Sequence, residues 1–174
     1  MKKIAGFLLI LFVCVQAWAQ NDEAKKIEEA NVVKVGSPVP DFSFLNGAGK
    51  KESMSAYKGK VTVVVFFATW CGPCRQELPH IEKEIWDKSK DKKDFALLIF
   101  GREHKKAEVD KFRTENKFTM PFLADPDRSV YSKFAKSFIP RLYLVDKSGK
   151  IVYATVGYND AEFSKMLDTL QKAF

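Results

Sequence analysis

Val61-Thr62-Val63-Val64-Val65-Phe66-Phe67-Ala68-Thr69-Trp70-Cys71-Gly72-Pro73-Cys74 joins the strongest strand-forming run of the chain to a pair of cysteines. Its first seven residues are β-branched or aromatic and do not alternate with polar ones, which predicts a strand covered on both faces. Pro73 suits the first turn of a helix, where its missing N–H would have no partner anyway. Beyond it Cys74, Leu78, Ile81 and Ile85 recur at steps of four, three and four, predicting a helix with one apolar stripe. Pro79 lies inside that helix, removes a backbone donor and is expected to bend it. The two cysteines therefore sit where a buried strand turns into a helix.

Elements on either side repeat this alternation. Upstream, Pro38 and Pro40 forbid helix and Asp41-Phe42-Ser43-Phe44 alternates, so short extended pieces are expected from Val32 to Leu45, followed by a turn at Asn46-Gly47-Ala48-Gly49. Downstream come a strand from Phe95 to Phe100, an amphipathic helix around Ala107 to Asn116, and a short extended Pro121-Phe122-Leu123. A helix from about Arg128 to Ala135 comes next. Leu142–Val145 and Ile151–Val156 read as two strands of a hairpin joined through Asp146-Lys147-Ser148-Gly149-Lys150, and Asp160 to Ala173 as a closing amphipathic helix. Parallel β-α-β units, an antiparallel hairpin and a last helix describe an α/β protein with a mixed sheet flanked by helices on both faces.

The 174 residues, 46% of them hydrophobic, fit one domain with a core. The N-terminus is set apart. Lys2 and Lys3 precede an apolar run from Ile4 to Val15, and Ala17-Trp18-Ala19 is a small-x-small site, so residues 1–19 read as a signal peptide cleaved after Ala19. The run is short for an uncleaved membrane anchor, and Val13 before Cys14 fits a lipoprotein site poorly. Residues 20–34 are expected as a polar linker and 35–174 as the domain. Cleavage lowers the formal charge from +7 to +5 and removes Cys14, leaving two cysteines in an exported protein, where disulfides persist. The remaining basic charge is interspersed with carboxylates, as in Asp87-Lys88-Ser89-Lys90-Asp91-Lys92-Lys93-Asp94, and nucleic acid is not expected as a partner.

A bare CxxC is compatible with a redox dithiol, a passive disulfide or half of a zinc site. Zinc has no second CxxC to draw on, and His80 and His104 stand at spacings unlike a finger, so both read as surface residues and no metal is expected. For redox work the location is favourable: the attacking species is a thiolate, and unsatisfied N–H groups at a helix start stabilise one. Cys71 is then the nucleophile, and Cys74, one turn in on the Leu78–Ile81 stripe, the resolving cysteine.

Phe67-Ala68-Thr69-Trp70-Cys71-Gly72-Pro73-Cys74-Arg75, after a buried strand and with Pro79 beyond it, resembles the thioredoxin active site. The resemblance implies a thioredoxin-like fold in which Pro140 is a cis-proline facing the dithiol, with Ile139 offering its backbone to a client chain. Trp70, Gly72 and Pro73 would line the same docking surface. The opening Val35-Gly36-Ser37-Pro38-Val39-Pro40-Asp41-Phe42, the insertion near Lys105 to Phe122, and Glu77 narrow it to the exported reductases of the TlpA and ResA kind. These imply an N-terminal β extension and a central αβ insertion. Val65 stands where ordinary thioredoxins carry a buried Asp, and Glu77, three residues after Cys74, could replace that proton acceptor if it is desolvated.

That resemblance implies a monomeric enzyme without cofactor that reduces client disulfides, possible clients including apocytochromes c before haem attachment, with electrons from a membrane thiol carrier. A peroxiredoxin is the nearest rival, but its Pro-x-x-x-Thr-x-x-Cys motif is absent: Thr69 stands two residues before Cys71 rather than three, and Val64 occupies the place of the proline. A non-catalytic module that binds extended peptides is the other alternative.

Overall fold

A computed structural model describes residues 22–174; the expected leader, with its cleavage site and Cys14, lies outside the described residues. The apolar strand prediction is realised as β3 (Val61–Phe67), in which every residue is buried. It is the centre of a five-stranded sheet ordered β5-β4-β3-β6-β7, with β4 (Phe95–Arg102) parallel on one side and β6 (Arg141–Val145) antiparallel on the other. The edges are β5 (Phe122–Asp125), parallel to β4, and β7 (Ile151–Val156), antiparallel to β6. A separate antiparallel hairpin, β1 (Ser43–Leu45) with β2 (Lys51–Ser53), forms the expected N-terminal β extension.

Successive side chains of β3 point to opposite faces, and each face has its own core. Val63, Val65 and Phe67 pack beneath three helices, α2 (Gly72–His80), α4 (Lys106–Glu115) and α5 (Asp160–Ala173), against Leu78, Phe112, Phe163 and Met166. Val64 and Phe66 face an aromatic cluster from extended segments and short turns, in which Phe66 lies 5.1 Å from Phe134 and Phe134 lies 4.9 Å from Tyr143. Each such ring contributes roughly 1.5–3 kcal/mol of burial. The insertion is α4 with β5, and Phe112 and Phe122 of that unit pack on Phe67, 5.4 and 5.1 Å away. The insertion is thus built into the core beneath the dithiol.

Pro79 lies inside α2, just before its hydrogen-bond pattern changes. From Ile81 to Trp86 the helix widens into a π turn before closing as the short α3 (Asp87–Ser89). The helix expected from Arg128 to Ala135 is instead a 3-10 turn, Tyr131–Lys133. Arg128 adopts a left-handed backbone, φ +61°, which keeps a regular helix from starting there. The buried Asp125 carboxylate accepts the N–H groups of Val130 and Tyr131 at 3.0 and 2.8 Å, which fixes the start of the turn. Helical cover on this face is therefore limited to short turns, including Met54–Tyr57.

The described part of the segment expected as linker is a short helix followed by residues that pair with the domain. Residues 22–29 are helical, α1, and the residues after that helix are bound to the domain: Val32 N–H donates to Phe134 O at 3.0 Å, and Lys136 N–H to Ala30 O at 2.8 Å. Ala30 is buried, and Asn31 pairs with Ala135 in an antiparallel bridge. The composition of this stretch is polar, but its main chain supplies partners to the 134–136 backbone, which would otherwise lie at a sheet margin without them. Among the described residues no helix is long and apolar enough to cross a membrane.

Candidate active site

The turn between β3 and α2 carries the dithiol. Ala68 O accepts the Cys71 N–H at 3.1 Å, Cys71 is the N-cap of α2, and Pro73 stands in its first turn. Cys71 and Cys74 form a disulfide, with an S–S distance of 2.09 Å and Cα atoms 5.3 Å apart. The Cys71 sulfur also accepts the Cys74 backbone N–H at 3.3 Å. A helix-start donor is therefore directed at the very sulfur that would carry negative charge after reduction. Cys71 is 5% exposed and Cys74 fully covered, so an attacking group meets Cys71 first.

Across the sulfurs lies the loop before β6. The Ile139–Pro140 bond is cis, and Ile139 O is 3.8 Å from Cys71 Sγ. Pro140 O accepts the Gly157 N–H at 2.9 Å, tying the loop to the end of β7. Trp70 is 66% exposed beside the disulfide, with the Arg102 guanidinium 5.9 Å from its ring. Phe138, next to Ile139, is also largely exposed. A side chain added at Gly72 would meet nothing within 4 Å, so this position leaves one approach to the disulfide open.

Glu77 is 2% exposed, on the face of α2 turned to the sheet. It borders a small cavity with Leu142, Thr155, Tyr158 and Asn159, and its Oε2 has no hydrogen-bond partner. Burial pushes its carboxyl up to about 8, since nothing nearby compensates the desolvated charge. Val65, at the position of the missing Asp, is fully buried between Ile99 and Leu142.

The structure thus brings Trp70, Cys71, Gly72, Pro73, Cys74, Ile139 and Pro140 together, with Glu77 one turn further in. It also shows residues that sequence reasoning missed. His104, expected at the surface, is buried, and its Nε2 accepts the Thr69 N–H at 3.0 Å, steadying the turn that carries Trp70 and Cys71. It fits because Gly101 has no side chain: a Cβ there would lie 3.2 Å from the His104 Cβ and from Val109 Cγ1. Arg141, at the start of β6, is likewise buried. An arginine opening an otherwise apolar strand was a visible signal; nothing in the sequence marked His104.

The Redoxin family model matches residues 34–170. The chain belongs to the redoxin family. Among curated relatives, the thioredoxin-like protein YneN of Bacillus subtilis is 31% identical over 156 residues, 90% of each chain. The thiol-disulfide oxidoreductase ResA of Geobacillus thermodenitrificans is 29% identical over 143 residues, covering 82% of this redoxin and 81% of ResA. The solution structure of a candidate protein disulfide isomerase from Bacteroides thetaiotaomicron superposes with a TM-score of 0.79 at 37% identity, over 83% of this chain and 92% of that one. The redoxin is a TlpA/ResA-like thioredoxin-fold protein, and its activity class is that of a thiol-disulfide oxidoreductase.

Proposed function

We infer that this redoxin is an exported reductase that opens disulfides in extracytoplasmic client proteins. The observation that carries the reading is the Cys71–Cys74 disulfide at a helix N-terminus, with its outer sulfur 3.8 Å from the free-standing carbonyl of Ile139. A client running extended past Ile139 presents its own disulfide to Cys71 once the pair is reduced. The Cys71 thiolate, favoured by the Cys74 N–H, attacks one client sulfur and expels the other as a thiolate that takes up a proton. Cys74, deprotonated with the help of Glu77, then attacks the Cys71 sulfur, releasing the second client thiol and closing the enzyme disulfide. Two electrons and two protons have passed to the client, and the dithiol of a membrane thiol-disulfide carrier supplies a further two of each to reopen the Cys71–Cys74 disulfide, itself becoming oxidised.

Glu77 suits the proton step because its carboxyl titrates near 8, in the range where a thiol gives up its proton. Trp70, Gly72, Pro73, Ile139 and Pro140 form the docking surface. The leader supports export with cleavage after Ala19, the mature protein acting as a monomer. Apocytochromes c awaiting haem are a client class suited to such a reductase.

Two measurements test this. A Cys74→Ser variant should accumulate client proteins as mixed disulfides through Cys71; recovery of none from an extract of exported proteins would reduce the site to a peptide-binding module. Equilibration with glutathione buffers should give a potential near that of thioredoxin, about −270 mV, and a value above about −150 mV would remove the reductase assignment.

A further inference from the structure

We propose that Arg141, braced by Asn31 of the N-terminal segment, is the positioning residue that sets the backbone edge beside Cys71 on which clients dock. The inference rests on the reading that a client pairs with Ile139.

Arg141 is 1% exposed, and among the described residues it forms no ion pair. A guanidinium taken out of water without a carboxylate is costly, so it persists only where neutral acceptors surround it. Two sets of acceptors serve Nε and Nη1, while Nη2 is buried without a partner. Nε donates to Ser137 O at 3.0 Å and to Phe138 O at 3.3 Å, the two carbonyls directly before Ile139. Nη1 donates to Asn31 Oδ1 at 2.7 Å and to the Tyr143 hydroxyl at 3.2 Å. The neighbours of Arg141 on the same face of β6, Tyr143 and Val145, fill an aromatic core in which an apolar residue would serve. The guanidinium is spent instead on the loop that carries Ile139.

That loop needs holding. Phe138 has φ +69°, a left-handed conformation that an aromatic residue adopts only when its surroundings impose it. Phe138 O is gripped twice, by Arg141 Nε and by the Tyr131 hydroxyl at 2.7 Å. Asn31 fixes the other end of the guanidinium. Its amide is itself oriented, because Nδ2 donates to Glu28 Oε2 at 3.0 Å, leaving Oδ1 for Arg141. A chain of contacts therefore runs from the N-terminal segment through Arg141 to the carbonyls of 137 and 138, and ends at Ile139 against the disulfide.

The test uses the otherwise complete protein with Asn31→Ala, Asn31→Asp and Arg141→Lys, reduced and mixed with an extended peptide containing one disulfide, with Trp70 fluorescence as the readout. Alkylation of Cys71 by iodoacetamide runs in parallel. For Asn31→Ala we expect the half-saturating peptide concentration to rise roughly tenfold, the lower end of what one hydrogen bond to a charged group contributes, with the limiting rate and alkylation within about twofold of wild type. Asn31→Asp, which keeps an acceptor oxygen, should restore saturation, and Arg141→Lys, whose single ammonium cannot span from the 137 and 138 carbonyls to Asn31 and Tyr143, should weaken it further. Unchanged saturation in a cooperatively folding Asn31→Ala protein would overturn the proposal, as would equal loss of peptide reaction and alkylation, the sign of general loosening. Failure of the wild-type protein itself to reduce the peptide would bring down the reductase reading first, and this one with it.

Discussion

At the scale of single residues, the chemistry turns on where Glu77 sits. Three residues beyond Cys74 on a helix, it could have been a solvated side chain or a covered one, because spacing gives the helix face and not what lies against that face. Thr155, Tyr158 and Met166, on β7, just after it and on α5, border the same small cavity. The folded-state pKa of about 8 lies above the ordinary 4.5 of a Glu, so the folded protein keeps a proton that the unfolded chain releases. Between those values the unfolded state binds fewer protons, and stability falls as pH rises from about 4.5 to about 8, staying level on either side. Glu77→Gln removes this loss. The variant should match wild type in urea unfolding near pH 4 and exceed it by a few kcal/mol, in order of magnitude, at pH 8. Its Cys74 should also ionise at lower pH, since a carboxylate no longer opposes the thiolate; alkylation rates against pH read that directly.

At the scale of elements, legibility followed the range of the interactions involved. β3 was readable because seven β-branched or aromatic residues need no distant partner to announce a strand buried on both faces, and α2 because its stripe, Pro73 and Pro79 are local signals. The 128–135 helix failed because Arg128 takes a left-handed backbone, φ +61°, which a helix cannot contain and which periodicity does not register. The β3–α2 turn shows the same limit: its sequence marks the dithiol, but its brace, His104, arrives from the far end of β4. Because Nε2 accepts from Thr69, the ring proton lies on Nδ1. His104→Leu leaves the half-buried Thr69 N–H without its acceptor and should cost about 1 kcal/mol, while His104→Gln, which can place an oxygen there, should recover most of it. Hydrogen exchange at the Thr69 amide separates a local effect from global unfolding: faster exchange in the Leu variant alone identifies the lost brace.

At the scale of the molecule, the sequence marks the polar stretch before residue 35 as separable, and its charges support that, yet its main chain is part of the fold. α1 is held mainly by exposed i,i+4 pairs such as Lys26 with Asp22, which contribute little. Residues 30–33 are different. They bury Ala30, pair with 134–136 and supply Asn31 to a guanidinium that has no carboxylate. Stability should therefore drop in a step and not in proportion to the length removed. A protein beginning at residue 30 should unfold within about 1 kcal/mol of one beginning at residue 22, since what separates them is exposed ion pairs and the exposed Glu28–Asn31 hydrogen bond. One beginning at residue 35 should lose about 3 kcal/mol, from the backbone bonds and from leaving a buried charge with fewer acceptors, or roughly 5–10 °C in Tm. A smooth decline across the three lengths in calorimetry would mean that α1 packs as tightly as the segment after it, and that the domain boundary lies before residue 22.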